Sequence, residues 1–189
     1  MLETLRDDVR TALAKDPAAT SAAVVALTYP GLHAVWLYRL AHALWARDHG
    51  FAARLVAHLG RLLTGVEIHP GADIGERLFV DHGMGTVVGE TAEVGDDVLL
   101  YHGVTLGGKS MQRTKRHPTL RDGVTVGANA TLVGPVTVGE NATIGAGAVV
   151  VDDVPPGTTV VGNPARPAEE DGTESDATQP VTDCCRTDG

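Results

Sequence analysis

Two histidines of this chain stand beside a charged residue in stretches where the sequence departs from its otherwise regular pattern. Asp81-His82 follows the aliphatic Val80 and precedes two glycines, and Arg116-His117 precedes a proline. Histidine titrates near neutral pH, so His82 can act as a general base when a carboxylate behind it fixes its tautomer. Glu67 is a candidate for that carboxylate, because it begins the same repeat region.

The same histidines also suit a metal site. His82 and His102 each stand two residues after an aliphatic position, and one coil of the repeat described below separates them, so their rings should stack. Imidazole nitrogen is a common ligand of Zn²⁺, which makes His82, His102 and His117 a candidate ligand set. On these residues alone, acid–base catalysis and zinc binding both stay open.

Several other chemistries are disfavoured. The two cysteines are adjacent, at 184 and 185, and neither they nor any serine has an evident base partner, which argues against covalent catalysis. Neither a P-loop nor a dinucleotide fingerprint occurs. A net charge of −9 argues against nucleic acid or an anionic membrane as partner. With no leader pattern and an interrupted apolar stretch at 21–46, we expect a cytoplasmic protein without a membrane span.

The elements that must position these residues follow a repeat of six. Aliphatic residues recur at every sixth position in three runs, over 68–80, 88–106 and 120–150. This period fits neither a helix of 3.6 residues per turn nor simple strand alternation. It is typical of a β-solenoid in which three hexads form a triangular coil and the aliphatic side chains stack inside. The pattern resembles the hexapeptide-repeat left-handed β-helix, and the handedness is taken from that resemblance.

Asp81-His82 and Arg116-His117 both fall where the six-residue repeat is interrupted. The step from Val80 to Val88 has two extra residues, directly after Asp81-His82. The step from Leu106 to Leu120 has eight extra residues, and the excursion at 107–119 ends near Arg116-His117. A loop that leaves a regular scaffold is a usual place for function.

The remaining sequence divides around this solenoid. Residues 1–65 form a helical segment with helices expected at 2–14, about 18–28, 31–48 and 51–64. Residues 66–166 form the β-helix with one protruding loop. Residues 167–189 are acidic and poor in apolar side chains, so we expect a disordered tail. The predicted fold class is therefore α+β.

These motifs together resemble the serine O-acetyltransferases, in a short form without their long N-terminal helical domain. The resemblance covers about 16–166 and is carried by DPA (16–18), VEIHPGADIG (66–75), DHGMGTVVGETAEVGDDV (81–98), VTLGG (104–108), RHPTLRDGVTVGA (116–128) and VPPGTTVVGNPAR (154–166). It implies acetyl transfer from acetyl-CoA to the hydroxyl of L-serine, giving O-acetyl-L-serine and CoA. This is the first step of cysteine biosynthesis from serine.

The resemblance also implies residue roles. His82 is the general base, Glu67 orients it, and His117 contacts serine or assists proton transfer. The implied substrate-binding residues are Asp16 and Asp81 for the ammonium and Arg116 for the carboxylate. The implied CoA-binding residues are Gly107, Gly108, Ala128, Thr143 and Ala146. A zwitterionic substrate needs one cation and one or two anions around a base, and these residues supply that set.

The resemblance further implies a homotrimer with active sites between subunits and no metal. A complex with O-acetylserine sulfhydrylase is in doubt, because the chain ends at Gly189 without the isoleucine that inserts in relatives. Two alternatives share the fold: a γ-class carbonic anhydrase-like zinc enzyme, and another small-alcohol or sugar O-acetyltransferase. The latter should lack the carboxylate clamp of Arg116-His117-Pro118.

Overall fold

The computed structural model describes residues 2–168, which form helices followed by short strands. The helices are α1 (Leu2–Lys15), α2 (Ala22–Thr28), α3 (Pro30–Trp45) and α4 (Gly50–Thr64). The predicted tail beyond 168, with both cysteines, lies outside the described residues. In the part of the chain that is described, no helix is long and apolar enough to cross a membrane.

Two helix boundaries differ by more than one residue from those expected, for local reasons. α2 begins at Ala22, after Ser21 caps it through a hydrogen bond from the Val24 amide, and not near residue 18. The preceding turn is held instead by Asp16, whose carboxylate accepts the Ala18 amide at 2.7 Å. α3 ends at Trp45 and not at 48, because the chain turns there and Asp48 adopts a φ of 61°.

The strands are β1 (Glu67–Ile68), β2 (Asp73–Ile74), β3 (Phe79–Val80), β4 (Val87–Val88), β5 (Glu93–Val94), β6 (Leu99–Leu100), β7 (Thr105–Gly107), β8 (Thr119–Leu120), β9 (Thr125–Val126), β10 (Thr131–Val133), β11 (Thr137–Val138), β12 (Thr143–Ile144), β13 (Val149–Val150), β14 (Thr159–Val161) and β15 (Arg166–Pro167). The first sheet has the order β1-β4-β7-β10-β13, the second β11-β8-β5-β2, and the third β15-β14-β12-β9-β6-β3. All pairings are parallel except β14 with β15.

The predicted triangular coil is confirmed. Successive strands visit the three sheets in turn, and each aliphatic hexad position pairs with its equivalent one coil later, as Val80 does with Leu100. The stacked side chains are buried from Ile68 to Val150, with only Ile74 partly exposed. Because each coil buries its residues only against the coils beside it, the solenoid is a rigid, regular support for its corners.

The helices pack on the first coil, and Lys15 also reaches the second coil at Asp97. The Cα of Gly31 in α3 lies so close to the Val80 carbonyl of β3 that a methyl group would overlap that oxygen. Tyr38 donates to the Ala72 carbonyl at 2.7 Å. Lys15, at the end of α1, donates to the Asp97 carbonyl at 2.6 Å. This attachment brings the segment after α1 toward the end of β3.

The triangular coil has a corner between each two of its sheets, and two of these corners carry the candidate functional residues. The base corner joins the third sheet to the first and contains residues 81–86, 101–104, 127–130 and 145–148. The loop corner joins the first sheet to the second and contains residues 69–72, 89–92 and the long loop 108–118. That loop matches the predicted excursion, which is shortened by one residue at each end because Gly107 and Thr119 belong to strands.

Candidate active site

Asp81-His82 stands at the base corner, immediately after β3. The Asp81 amide still donates to the Leu100 carbonyl in the neighbouring coil, whereas His82 leaves the sheet with a φ of 59°. Its side chain is 78% exposed, and Nε2 lies 3.8 Å from the nearer Asp81 carboxylate oxygen. That distance is too long for a hydrogen bond, so the imidazole is accessible to a substrate proton.

The helical segment brings a second carboxylate to this corner. Asp16 accepts hydrogen bonds from the Tyr29 hydroxyl at 2.5 Å and the Ala18 amide at 2.7 Å. These bonds, the Tyr29 bond foremost, hold the pKa of Asp16 below its usual value, and positive charge on His82 adds to the effect. The Tyr29 pKa is raised, first by its bond to Asp16 and in smaller part by Asp81. Asp16, Asp81 and His82 therefore share one electrostatic environment.

His102 lies one coil above His82, as the sequence spacing predicts. The two rings have centroids 6.2 Å apart and meet edge to face at 80°. Nδ1 of His102 is buried without a hydrogen-bond partner among the described residues.

Glu67 does not contact His82 in the protomer. Its carboxylate forms an ion pair with Arg61 of α4 at 3.0 Å, because the side chain points outward from β1 toward the last turn of that helix. The orienting role of Glu67 toward His82 therefore stays a prediction.

Arg116-His117 is attached to the loop corner through a turn of the preceding coil, at Glu90-Thr91. Nη2 of Arg116 donates to the Glu90 carboxylate at 2.6 Å, which is the first cause of the lowered pKa of Glu90. The Thr91 hydroxyl accepts the backbone amides of Arg116 at 3.0 Å and of His117 at 3.2 Å. Sequence reasoning passed over Glu90, Thr91 and Tyr29, although the first two lie inside the quoted GETA stretch.

His117 is buried and its protonation pattern is fixed by its neighbours. Its Nδ1 accepts the Thr91 amide at 3.1 Å and lies 2.9 Å from the Thr91 hydroxyl. Burial lowers the pKa of His117, and the adjacent Arg116 lowers it further. Because an amide can only donate, Nδ1 carries no proton, and the neutral ring has its proton on Nε2. That nitrogen lies beside Gly108, where a methyl group would approach within 3.1 Å.

The structure places Asp81-His82 and Arg116-His117 at different corners of the triangular coil. The first sheet separates them: seven residues, from Gly83 to Gly89, connect His82 to the turn at Glu90-Thr91 that holds Arg116 and His117. The predicted CoA residues divide in the same way. Gly107 ends β7 and Gly108 opens the loop corner, Ala128 and Ala146 lie in the column above His82 and His102, and Thr143 opens β12 on the third sheet.

This geometry does not favour the zinc alternative. His82 and His102 approach each other, but His117 lies at the other corner, and its Nε2 carries the proton that a metal would have to replace. Within residues 2–168 no three histidine, cysteine or carboxylate side chains gather as ligands would.

A triangular coil of parallel strands with aliphatic hexads defines the hexapeptide-repeat transferases, and residues 117–152 match the family model for the bacterial transferase hexapeptide (six repeats). A serine acetyltransferase of Mycobacterium tuberculosis is 57% identical over 166 residues, which are 88% of this chain and 72% of that protein. This chain belongs to the serine acetyltransferase family. Its β-helix is accordingly left-handed, as predicted, and it is an acyltransferase.

Solved structures give the same assignment. Soybean serine acetyltransferase complexed with serine superposes with a TM-score of 0.85 at 43% identity, over 88% of this chain and 68% of that one. Serine acetyltransferase from Brucella abortus in complex with coenzyme A superposes with a TM-score of 0.85 at 40% identity, over 88% of this chain and 66% of that one.

Proposed function

We propose that this chain transfers the acetyl group of acetyl-CoA to the hydroxyl of L-serine, with His82 as general base. The observation that carries the residue assignment is the exposed His82 imidazole beside the carboxylates of Asp81 and Asp16. The soybean relative binds serine and the Brucella relative binds coenzyme A, which supports both substrates.

The reaction proceeds in one ternary complex. His82 accepts the hydroxyl proton of serine as its oxygen attacks the thioester carbonyl carbon, and a tetrahedral oxyanion forms. The oxyanion collapses, the carbon–sulfur bond breaks, and the CoA sulfur leaves with the proton that His82 returns. Backbone amides of the Gly107-Gly108 corner are the candidate donors to the oxyanion, because glycine lets the backbone approach closely. Positioned base catalysis contributes about 10²–10⁴-fold.

The remaining residues bind the zwitterion. Asp16 and Asp81 hold the ammonium group, and Tyr29 supports Asp16 in its charged form. Arg116 holds the carboxylate, for which a guanidinium is suited because it offers two parallel donors. In the free protomer, Arg116 pairs with Glu90, and its buried Nε has no hydrogen-bond partner among the described residues.

The active site forms between two copies of the chain, in a homotrimer. The base corner and the loop corner carry complementary halves of the site, and one protomer cannot bring them together. A contact between two different patches is heterologous, and such contacts form a closed ring when the rotation between copies closes, as a threefold rotation does in a trimer. The exposed apolar side chains along α4 support an interface beside the first sheet; they are Phe51, Leu55, Leu59, Leu62 and Leu63.

In this assembly CoA follows the groove between neighbouring subunits. Ala128 and Ala146, above His82, form one wall of this groove with their small side chains, and Thr143 lies nearby on the third sheet. Gly108 of the neighbouring subunit lines the opposite wall. Glu67 is the proposed orienting residue for His82, although in the protomer it pairs with Arg61. We place the enzyme in the cytoplasm, at the first step of cysteine biosynthesis. A sulfhydrylase complex stays a prediction, since the chain end lies outside the described residues.

The activity is tested by thiol release from acetyl-CoA with L-serine, L-homoserine, a galactoside or no acceptor. We expect release with L-serine well above the other three. A preference for the galactoside would favour the sugar-acetylating alternative. Metal analysis of the purified protein separates the zinc alternative, which requires stoichiometric zinc and loss of activity after chelation.

The shared site is tested by mixing two inactive variants, His82→Asn and Arg116→Ala. If trimers exchange subunits, about one quarter of the sites combine an intact His82 with an intact Arg116, so activity returns to about that fraction. A mixture that stays inactive after exchange is verified would contradict the shared site.

A further inference from the structure

We propose that Glu90 and Thr91 are positioning residues that hold Arg116 and His117 ready for the serine carboxylate. The inference rests on the proposed function and adds two residues to it. Each acts through the residue that it holds.

Thr91 is the anchor of the dipeptide. Its hydroxyl accepts the backbone amides of Arg116 and His117, and it also lies 2.9 Å from Nδ1 of His117. A hydroxyl has two acceptor sites and one proton, so these three contacts use its full capacity. The Thr91 amide adds a bond to the same Nδ1 at 3.1 Å. One residue therefore fixes both the backbone position of the dipeptide and the tautomer of its histidine.

The tautomer determines what His117 can do. With Nδ1 occupied by donors and the ring neutral, Nε2 presents an N–H toward the space beside Gly108. His117 then serves as a hydrogen-bond donor to substrate, and the transfer of the serine proton falls to His82. The sequence alone left open whether His117 contacts serine or moves a proton, and the Thr91 contacts favour the first.

Glu90 acts on Arg116 in a similar way. The 2.6 Å bond joins two partly buried side chains, with 24% of Arg116 and 39% of Glu90 exposed. Arg116 needs such a partner because, within residues 2–168, its buried Nε has no acceptor and its bond to the Ser110 carbonyl is long at 3.4 Å. The carboxylate directs the guanidinium and leaves its second edge for a substrate carboxylate.

The rest of the long loop has few attachments that could do this instead. Lys115 donates to the Thr91 carbonyl at 2.8 Å and pairs with Glu93 at 3.0 Å. Glu93 also accepts from Thr119 at 3.1 Å. Glu93, the first residue of β5 and two residues beyond Thr91, thus binds the same loop without touching Arg116 or His117, which makes it a matched control.

The test compares Thr91→Val, Thr91→Ser, Glu90→Gln and the control Glu93→Gln, with KM and kcat measured separately for each substrate. We expect Thr91→Val and Glu90→Gln to raise KM for L-serine about tenfold, the effect of roughly one charge-assisted hydrogen bond. KM for acetyl-CoA should change less than twofold. Thr91→Ser should recover most of the wild-type KM, because it keeps the hydroxyl, and Glu93→Gln should resemble the wild type.

Nitrogen-15 NMR of the histidine side chains gives a readout that loop stability alone would not move. In the wild type, His117 should show an unprotonated Nδ1 and a protonated Nε2 at neutral pH, and Thr91→Val should shift the Nδ1 resonance. Equal kinetics for Glu90→Gln, Thr91→Val and Glu93→Gln would overturn the proposal. A protonated Nδ1 of His117 would also overturn it. The same holds if Thr91→Val raises KM for L-serine and for acetyl-CoA alike and the Thr91→Ser variant does not recover the wild-type values. Absence of serine-dependent turnover in the wild type would instead overturn the proposed function.

Discussion

Replacing His82 by asparagine separates catalysis from folding. His82 is 78% exposed and has a φ of 59°, a left-handed conformation that asparagine tolerates better than most residues. The substitution therefore keeps the corner and removes the base. Because the side chain makes only weak contacts within residues 2–168, a 3.8 Å approach to Asp81 and an edge-to-face approach to the His102 ring, we expect the free energy of unfolding to change by less than about 0.5 kcal/mol.

The loss of activity should be large by comparison. Removing a positioned general base costs about 10²–10⁴-fold in kcat, which is about 2.7–5.4 kcal/mol of transition-state stabilisation. KM for acetyl-CoA should stay near the wild-type value, since His82 acts on the serine hydroxyl. The measurement is thiol release at saturating L-serine, together with urea unfolding of both proteins.

His102→Asn is the matched control, because its ring lies 6.2 Å from that of His82 at the same corner. We expect a loss of less than about tenfold, whereas a zinc site built on both histidines would lose activity equally in either variant. A His82→Asn protein with kcat within threefold of the wild type would refute the assignment of the base.

Three further predictions concern the supports of the site. Tyr29→Phe removes the hydrogen bond that keeps the pKa of Asp16 low, so KM for serine should rise about two- to tenfold. The acidic limb of the pH dependence of KM for serine should move to higher pH. Gly31→Ala should destabilise the protein by about 1–3 kcal/mol in urea unfolding, since the methyl group meets a β3 carbonyl. The same substitution at an ordinary glycine inside a helix would stabilise the protein by about 0.5–1 kcal/mol. Burial lowers the pKa of His69 and His117, so the unfolded chain binds more protons than the folded chain. The free energy of unfolding should therefore fall as pH drops below about 6.5, and His117→Gln should weaken that pH dependence.

Much of the fold could be predicted from the sequence because the signal was periodic. The hexad positions are the buried stack, and the two breaks in the stride coincide with the base corner and the long loop. The helix boundaries were less certain, since α2 and α3 depend on single interactions such as the Ser21 cap and the turn at Asp48. The candidate site residues came from motifs, and their roles stay predictions.

Contacts between distant side chains could not be predicted in this way. The bond between Tyr29 and Asp16, and those of Glu90 and Thr91 with the loop 26 residues later, depend on which coils lie side by side. The pairing of Glu67 with Arg61, where a contact with His82 was expected, depends on the direction of one side chain at the edge of β1.

Asp81-His82 and Arg116-His117 show the same division between sequence and tertiary structure. The sequence by itself determined the coil, its corners and the presence of a base, two carboxylates and a guanidinium, because a six-residue period permits few packings. Only the tertiary structure decided that the two pairs stand at separate corners and that His117 presents an Nε2 proton. Corner assignment requires the closed triangular coil, and a tautomer is set by the donors that surround the ring in space.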